Sequence, residues 1–446
     1  MNYNQAGSAA LDHNRVLADE AAIYSKITWR IIPFFALCYV VAYLDRTNIS
    51  FAQFQMRDAL GFSDAIYGLG AGIFFIGYSL FEVPSNLLLE RIGARKTLLR
   101  IMVLWGAVSV LMIFVTTPMM FYVLRFLLGA FEAGFSPGII YLLTRWYPSI
   151  RRGRVLALFM LGMPISGLMG GPIAGWVLSD LHNVGGLQGW QWLFIVEGVP
   201  AILLGFLVYF LVDDEPAKAT WLSPAERDVV IRNVEAEGLH NRLGHQKSTL
   251  QSWLDPRIYI MCVAYFTFIS GIYAIGFWLP TLLKNAGISD VFSVGLYSMI
   301  PFGISAFGMV AMCRSSDKYL ERRWHVFVSA LVGAVALSLI PAVQSDLKIS
   351  LIVMTIATTG IYALLPLFWS IPSAYLNGRS SAAGIIALIN SLGLTGGLVS
   401  PIIIGSLKEA TGSFTSGLYA ISAMLIVGAV LIVVGISADI LRERRS

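Results

Sequence analysis

Charge is what this chain has least of. Asp, Glu, Lys and Arg make up 13% of its 446 residues, about half the share found in a typical soluble domain. So few ionisable groups cannot cover a particle of this size, which excludes a soluble globule. Histidine is scarcer still, at five residues, and the only cysteines are Cys38, Cys262 and Cys313. The cysteines lie within or at the edge of apolar stretches and show no CxxC spacing, so they read as packing residues without a disulfide framework. His182 and His240 fall in loops, and no His, Cys, Asp and Glu spacing suggests a metal site. No nucleophile–base pair is visible, so neither an enzyme nor a cofactor is expected. The net charge of +5 fits the basic loops of a membrane protein better than nucleic-acid binding.

What the chain has in excess is apolar surface: 57% hydrophobic residues and a mean hydropathy of +0.73. Such a surplus needs lipid as its solvent. A dozen helical spans of about 20 residues would use roughly 240 residues and leave the remainder for loops. Apolar segments of spanning length fall at 29–50, 66–88, 98–117, 119–143, 155–179 and 192–212, then at 257–283, 292–313, 325–343, 349–375, 381–406 and 415–438. Residues 1–28 are polar and mixed in charge, so the first apolar segment is expected to be a span and not a cleaved leader. The division is therefore a tail at 1–28, six spans over 29–212, a polar linker at 213–256, six spans over 257–438, and a tail at 439–446. Within the linker, Ser223, Pro224 and Glu226 have the spacing of a helix start with a capping box, and Gly238 suits a stop. A solvated helix linking two halves is expected there, with a regulatory site as the alternative.

Basic residues cluster on alternate loops. Arg91, Arg95 and Lys96, then Arg145, Arg151, Arg152 and Arg154, then Arg314, Lys318, Arg322 and Arg323 occupy one set, joined by Arg442, Arg444 and Arg445 of the tail. The other loops hold Arg57, Lys284, Lys348 and Lys408, one each. The positive-inside rule then puts both termini and the linker in the cytoplasm, most simply at a bacterial inner membrane.

The halves repeat one another. Glu90-Arg91-Ile92-Gly93-Ala94-Arg95-Lys96 is echoed by Asp317-Lys318-Tyr319-Leu320-Glu321-Arg322-Arg323 at an offset of 317 − 90 = 227. Gly167-x-x-x-Gly171-Pro172 is echoed by Gly396-x-x-x-Ser400-Pro401 at 401 − 172 = 229. Duplicated six-span halves with a site between them are the plan of many secondary transporters. The fold class expected is an all-α membrane protein of twelve transmembrane helices in two pseudo-symmetric six-helix bundles.

Ionisable residues inside spans cost about 2.5–3.5 kcal/mol each near the bilayer centre and mark functional sites. Here they are Asp45 and Arg46 in span one, Glu82 in span two, and Arg125 and Glu132 in span four. With span one leaving the membrane near Ser50, Arg46 and Arg125 would share one depth, and Glu132 would lie two turns below Arg125 on the same face. Two arginines facing a cavity suit a carboxylate held by paired hydrogen bonds. A carboxylate half-way across is desolvated, which favours its neutral form and lets it load a proton on one side and release it on the other. Static pairs, Asp45–Arg125 or Arg46–Glu132, are the plainer alternative. Glu82, next to Pro84, is expected to support a kink or pair with the basic loop. The loop residues Asn86, Glu90, Arg91, Gly93, Arg95 and Lys96, with Asp317 and Arg322 in the second copy, are expected to govern helix contact and gating. In the second half, Trp369, Ser370 and Ser373 surround Pro372 and are expected to break span ten at the cavity. Asn390 lies mid-span eleven, and Tyr43 and Tyr78 are further candidates for the cavity wall.

The chain resembles the major facilitator superfamily, and within it the anion:cation symporter group, which carries tartrate, sugar acids, phthalate and hydroxyphenylacetate. The resemblance runs from about Trp29 to Phe414 and rests on Tyr43-Leu44-Asp45-Arg46-Thr47-Asn48-Ile49, Glu82-Val83-Pro84-Ser85-Asn86, Arg125 with Glu132-Ala133-Gly134-Phe135, Gly189-Trp190-Gln191-Trp192-Leu193-Phe194, Phe277-Trp278-Leu279-Pro280, Ile389-Asn390-Ser391-Leu392-Gly393 and Ala410-Thr411-Gly412-Ser413-Phe414. Asn86 stands where glycine is usual and Glu90 where aspartate is usual; Cys313 and Leu320 replace common glycines of the second copy. The resemblance implies proton-coupled import of an organic anion, with Arg46 and Arg125 on the substrate and Asp45 and Glu132 carrying protons. The stretch from Ala157 through Pro164 leans toward tartrate- and hydroxyphenylacetate-type members. The partners implied are a small carboxylate, protons and membrane lipid, with a monomer expected. The alternative is a proton-coupled antiporter or exporter, because Gly167-x-x-x-Gly171-Pro172 resembles a motif of drug/proton exchangers.

Overall fold

The computed structural model of the chain describes residues 3–243, 255–319, 321–376 and 382–436. The tail at 439–446, linker residues 244–254 and Leu320 lie outside them. Among the described residues, twelve helices are long and apolar enough to cross a membrane. The first six are Glu20–Leu60, Asp64–Ile92, Ala94–Phe114, Pro118–Trp146, Arg151–Asp180 and Gly189–Leu211. The second six are Pro256–Asn285, Val291–Tyr319, Arg323–Val343, Leu347–Tyr375, Gly384–Thr411 and Thr415–Gly435. Helix is the only open-ended element that satisfies its own backbone in lipid, so apolar length alone largely dictates this outcome. The spans pack as two six-helix bundles. We call the end that carries the linker helix Pro224–Leu243 the linker end, and the opposite one the far end.

Three spans differ from their sequence expectation. Span one does not end near Ser50. It breaks at Asn48 and continues as Ile49–Leu60, burying Phe51, Phe54 and Met56, until Gly61 takes the left-handed conformation (φ 69°) and caps it through a hydrogen bond to the Arg57 carbonyl. Span four bends at Gly134 (φ 88°), where a Cβ would come within 2.4 Å of Ser85 Oγ. Span ten is not broken: its helix runs from Leu347 to Tyr375 through Pro366 and Pro372. Ser370 donates to the Leu367 carbonyl (2.6 Å) and Ser373 to that of Trp369 (2.8 Å). These bonds supply donors on either side of the turn where Pro372 has none.

The bundles approach each other most closely at glycines. A Cβ on Gly171 would lie 2.4 Å from the Gly295 carbonyl oxygen, and one on Gly68 would lie 2.4 Å from that of Pro401. Gly68 and Gly295 are pseudo-equivalent, since 295 − 68 = 227. The repeated Gly/Pro motif thus serves close helix crossing between the halves. Both crossings lie toward the far end. There Lys408 pairs with Asp64 at 2.8 Å, each side chain 12% exposed. Glu409 accepts from the Ala65 N–H (2.8 Å), Tyr67 donates to the Phe277 carbonyl (2.9 Å) and Gln53 donates to Thr281 (2.9 Å). The two halves are latched at this end.

The basic loop motif locks each bundle internally. Arg95 donates to the Tyr209 carbonyl through its side chain and to Asp214 through its N–H (2.8 Å). In the second half Arg323 donates to the Ile436 carbonyl at 2.6 Å, and 436 − 209 = 227. Gly93 (φ 87°) leaves room for Asp214, which a Cβ would approach to 2.6 Å. Arg322 pairs with Asp317, whereas Glu90, Arg91 and Lys96 are exposed and Asn86 is partly buried. The linker helix starts with reciprocal bonds between Ser223 and Glu226. It is not merely solvated: it docks on the first bundle. Lys26 reaches Glu226 at 2.9 Å, and Trp221 stacks on Trp146 with centroids 5.5 Å apart. Hydrogen bonds from the Ser223 backbone and Lys26 hold the Glu226 carboxyl below its ordinary range. Cys38 and Cys262 are buried and all three cysteines are free.

Candidate anion-binding site

Span one brings Arg46 to mid-membrane because the helix continues to Leu60. Counted from the far end, Arg46 is 60 − 46 = 14 residues in, and Glu132 of span four is 132 − 118 = 14 residues in. The two share a depth, and Arg46 forms an ion pair with Glu132. This corrects the expectation that Arg46 lies level with Arg125. Arg46 also donates to the hydroxyl of Tyr273, on span seven of the other bundle, at 3.1 Å. It therefore stands at the interface between the halves, its side chain 12% exposed and Glu132 1% exposed.

Arg125 lies behind it. The residue is fully buried, and only its Nε is engaged, by the Gly70 carbonyl at 3.1 Å; Nη1 and Nη2 have no partner. The two guanidiniums share the Phe74 ring, with Arg46 Cζ 5.3 Å and Arg125 Cζ 5.2 Å from its centroid. Tyr43 and Tyr78 complete the box around Arg46, at 5.3 and 5.4 Å. Cation–π contacts of this kind hold a guanidinium in place without consuming its hydrogen-bond donors. Asp45, fully buried, accepts from Ser109 Oγ through one oxygen, while its other oxygen has no partner.

The structure thus gathers Asp45, Arg46, Arg125, Glu132, Tyr43 and Tyr78 in the first bundle. The second-half candidates are less united. Trp369 donates to Tyr265 at 3.3 Å. Ser370 and Ser373 are spent on their own helix, and Asn390 is partly buried without a hydrogen bond among the described residues. Glu82 makes no ion pair with the basic loop; it is buried and within electrostatic reach of Arg46. Sequence reasoning passed over Tyr273, Phe74, Ser109 and Glu197. Of these, only Glu197 carried a signal, an acid inside an apolar span.

Chemically, the site offers two arginines with spare donors beside carboxylates that compete for them. The comparisons agree with a transport role. Residues 35–398 match the Major Facilitator Superfamily. The chain is 41% identical over 426 residues (96% of this chain, 97% of the relative) to a Pseudomonas putida protein named as a metabolite transport protein, NicT. It is 44% identical over 412 residues (92% and 91%) to an Agrobacterium vitis protein named as a tartrate transporter. It is 39% identical over 414 residues (92% and 94%) to an Acinetobacter baumannii quinolone resistance transporter. Among solved structures, a D-xylose-proton symporter shares the fold with a TM-score of 0.72 at 15% identity, covering 91% of this chain and 97% of that one. On the twelve spans, the duplicated bundles and these matches, the chain is a transporter and belongs to the major facilitator superfamily.

Proposed function

We propose that the protein imports an organic carboxylate together with protons by alternating access. The substrate is a tartrate-like hydroxy acid, a sugar acid or an aromatic carboxylate. The observation that carries this reading is the position of Arg46, bound to Glu132 on its own bundle and to Tyr273 on the other. An incoming carboxylate competes with Glu132 for the same guanidinium. Once displaced, Glu132 stands buried without a cation, and a buried carboxylate in that position is stable only with a proton. Anion binding and proton loading are then one event. Arg125, with both terminal nitrogens unpartnered, offers a second place for anionic charge on the same ligand, shared with Asp45.

Positive-inside placement of the basic loops puts the linker end in the cytoplasm. The latch at Lys408 and Asp64 then closes the outer side, and the locks at Arg95 and Arg323 keep each bundle rigid as the halves rock. The natural setting is a bacterial inner membrane with the protein acting as a monomer. The test is a panel of carboxylates screened for thermal stabilisation of the purified protein, followed by uptake into proteoliposomes. Uptake is expected to follow an inward proton gradient, collapse with a protonophore and ignore Na⁺. Uptake driven by Na⁺ alone would remove the proton roles.

Proton-coupled export is the second reading, favoured by the quinolone resistance relative. It is separated by direction: an exporter exchanging substrate for protons would acidify the compartment the substrate leaves, and would not be stabilised by small carboxylates.

A further inference from the structure

Glu197 lies on span six, inside the first bundle and outside the site described above. It is 4% exposed and its Oε2 has no partner. No cation pairs with it among the described residues. Its position is fixed by a close crossing of spans three and six. A Cβ on Gly198 would meet the Gly106 carbonyl at 2.8 Å and the Cβ of Ser109 at 3.1 Å. Ser109 is the residue whose hydroxyl bonds Asp45. Glu197 accordingly sits beside Asn48 and within electrostatic reach of Asp45, whose second oxygen is also unpartnered.

The groups facing Glu197 can be named element by element. Span one contributes Asp45 and Asn48, and span three contributes Ser109. Span five contributes no ionisable side chain between Gly162 and its end at Asp180. Arg125 and Arg46 are the cations within reach of Asp45, and Glu132, which is paired with Arg46, is within reach as well. Ionised together, Asp45 and Glu197 would place two neighbouring negative charges in a buried region where, of the two guanidiniums in reach, only Arg125 is not already paired with a carboxylate. Two buried carboxylates so placed disfavour each other's ionisation.

We propose that Glu197 is a proton-holding residue: Glu197 and Asp45 form a carboxyl pair that keeps a proton between them, the Glu197 O–H donating to the Asp45 carboxylate. When Arg125 faces Asp45, the pair carries one shared proton. When Arg125 turns to an anionic ligand, the pair takes a second proton from solvent and becomes neutral. This extends the proton-coupled reading, on which its role in transport rests, and adds a proton store that Glu132 does not supply.

The test uses the full chain in lipid, without ligand, by infrared difference spectroscopy between neutral and alkaline pH. Wild type is expected to show the C=O band of a protonated carboxyl at neutral pH. Glu197→Gln should lose that band, and Asp45→Asn should shift it, because the neighbour sets the strength of its hydrogen bond. Glu197→Asp keeps a titrating carboxyl and should retain a displaced band, so a folding failure of Glu197→Gln does not block the decision. An unchanged band in either Glu197 variant, or no protonated carboxyl in wild type at neutral pH, overturns the proposal. The readout needs no transport, so it stands or falls separately from uptake that ignores pH, which would refute the coupling reading alone.

Discussion

Replacing Glu132 by Gln tests whether anion and proton share one guanidinium. On the proposed coupling, substrate displaces the Glu132 carboxylate from Arg46, and the displaced carboxylate takes up a proton. Binding that consumes a proton is favoured as pH falls: if one proton is taken up per anion, affinity weakens about tenfold for each unit of rising pH, 1.36 kcal/mol. Over two units the fall is about a hundredfold. Gln occupies the same space and can still accept from Arg46, but it neither competes as an anion nor titrates. The ion pair it removes is worth up to about 5 kcal/mol, taking roughly 3 Å and an effective dielectric of 20. The retained hydrogen bond to a charged group returns about 1.5–3 kcal/mol. The net release is about 2–3.5 kcal/mol, so at alkaline pH Glu132→Gln should bind substrate some thirty-fold or more tighter than wild type. Calorimetric titration across pH measures both quantities. Counterflow should persist in proteoliposomes while proton-driven accumulation disappears, since the empty carrier cannot reset with a deprotonated site. A Glu132→Gln protein whose affinity follows the wild-type slope with pH would show that the proton travels elsewhere.

Other perturbations follow from the same geometry. Arg46→Ala should reduce anion affinity at least thirty-fold, the cost of truncating one partner of a buried charge pair at about 2 kcal/mol or more, and Arg46→Lys should recover little of it because the planar fork is lost; calorimetry of the purified variants decides. Asp45→Asn should disturb affinity and coupling together, seen as reduced binding and reduced accumulation in parallel assays. Asp64→Asn should weaken the far-end latch by roughly 1 kcal/mol, about five-fold in population, read as faster thiol labelling at a cysteine introduced near Gly61. Gly171→Val should block the close crossing with Gly295, leaving ligand binding intact while abolishing exchange.

The spans were legible because lipid demands helices of one length, and hydropathy records that demand directly. The acids and arginines were legible because each is costly where it stands. Their partners were not. Hydropathy falls at Gln53 and Gln55, so span one reads as ending near Ser50; the true stop is Gly61, the first residue that can take a left-handed cap. That displacement turns an Arg46–Arg125 level into an Arg46–Glu132 pair. Pro372 reads as a break because sequence shows the missing donor but not the serine hydroxyls around it. Glu197 carries the same signal, an acid inside an apolar span; what the sequence does not show is that the helix crossing at Gly198 buries it near Ser109.

The glycine crossings at Gly171–Gly295 and Gly68–Pro401 have a mechanical consequence. With no side chain on either glycine and only the small Ser298 hydroxyl beside Gly171, these close contacts can serve as a bearing, and they lie toward one face of the membrane. A bearing placed off-centre makes each bundle a lever with a long arm. A tilt of about 10° about it, carried across a hydrocarbon core of about 30 Å, moves the opposite face by roughly 5 Å, enough to admit a small molecule. The same tilt scarcely alters spacing at the pivot itself, so the site near mid-membrane sees half the travel and can keep hold of its cargo while one door opens wide. To open the other door the pivot must migrate toward the linker end, and the backbone-to-backbone contacts at these glycines must come apart as it does.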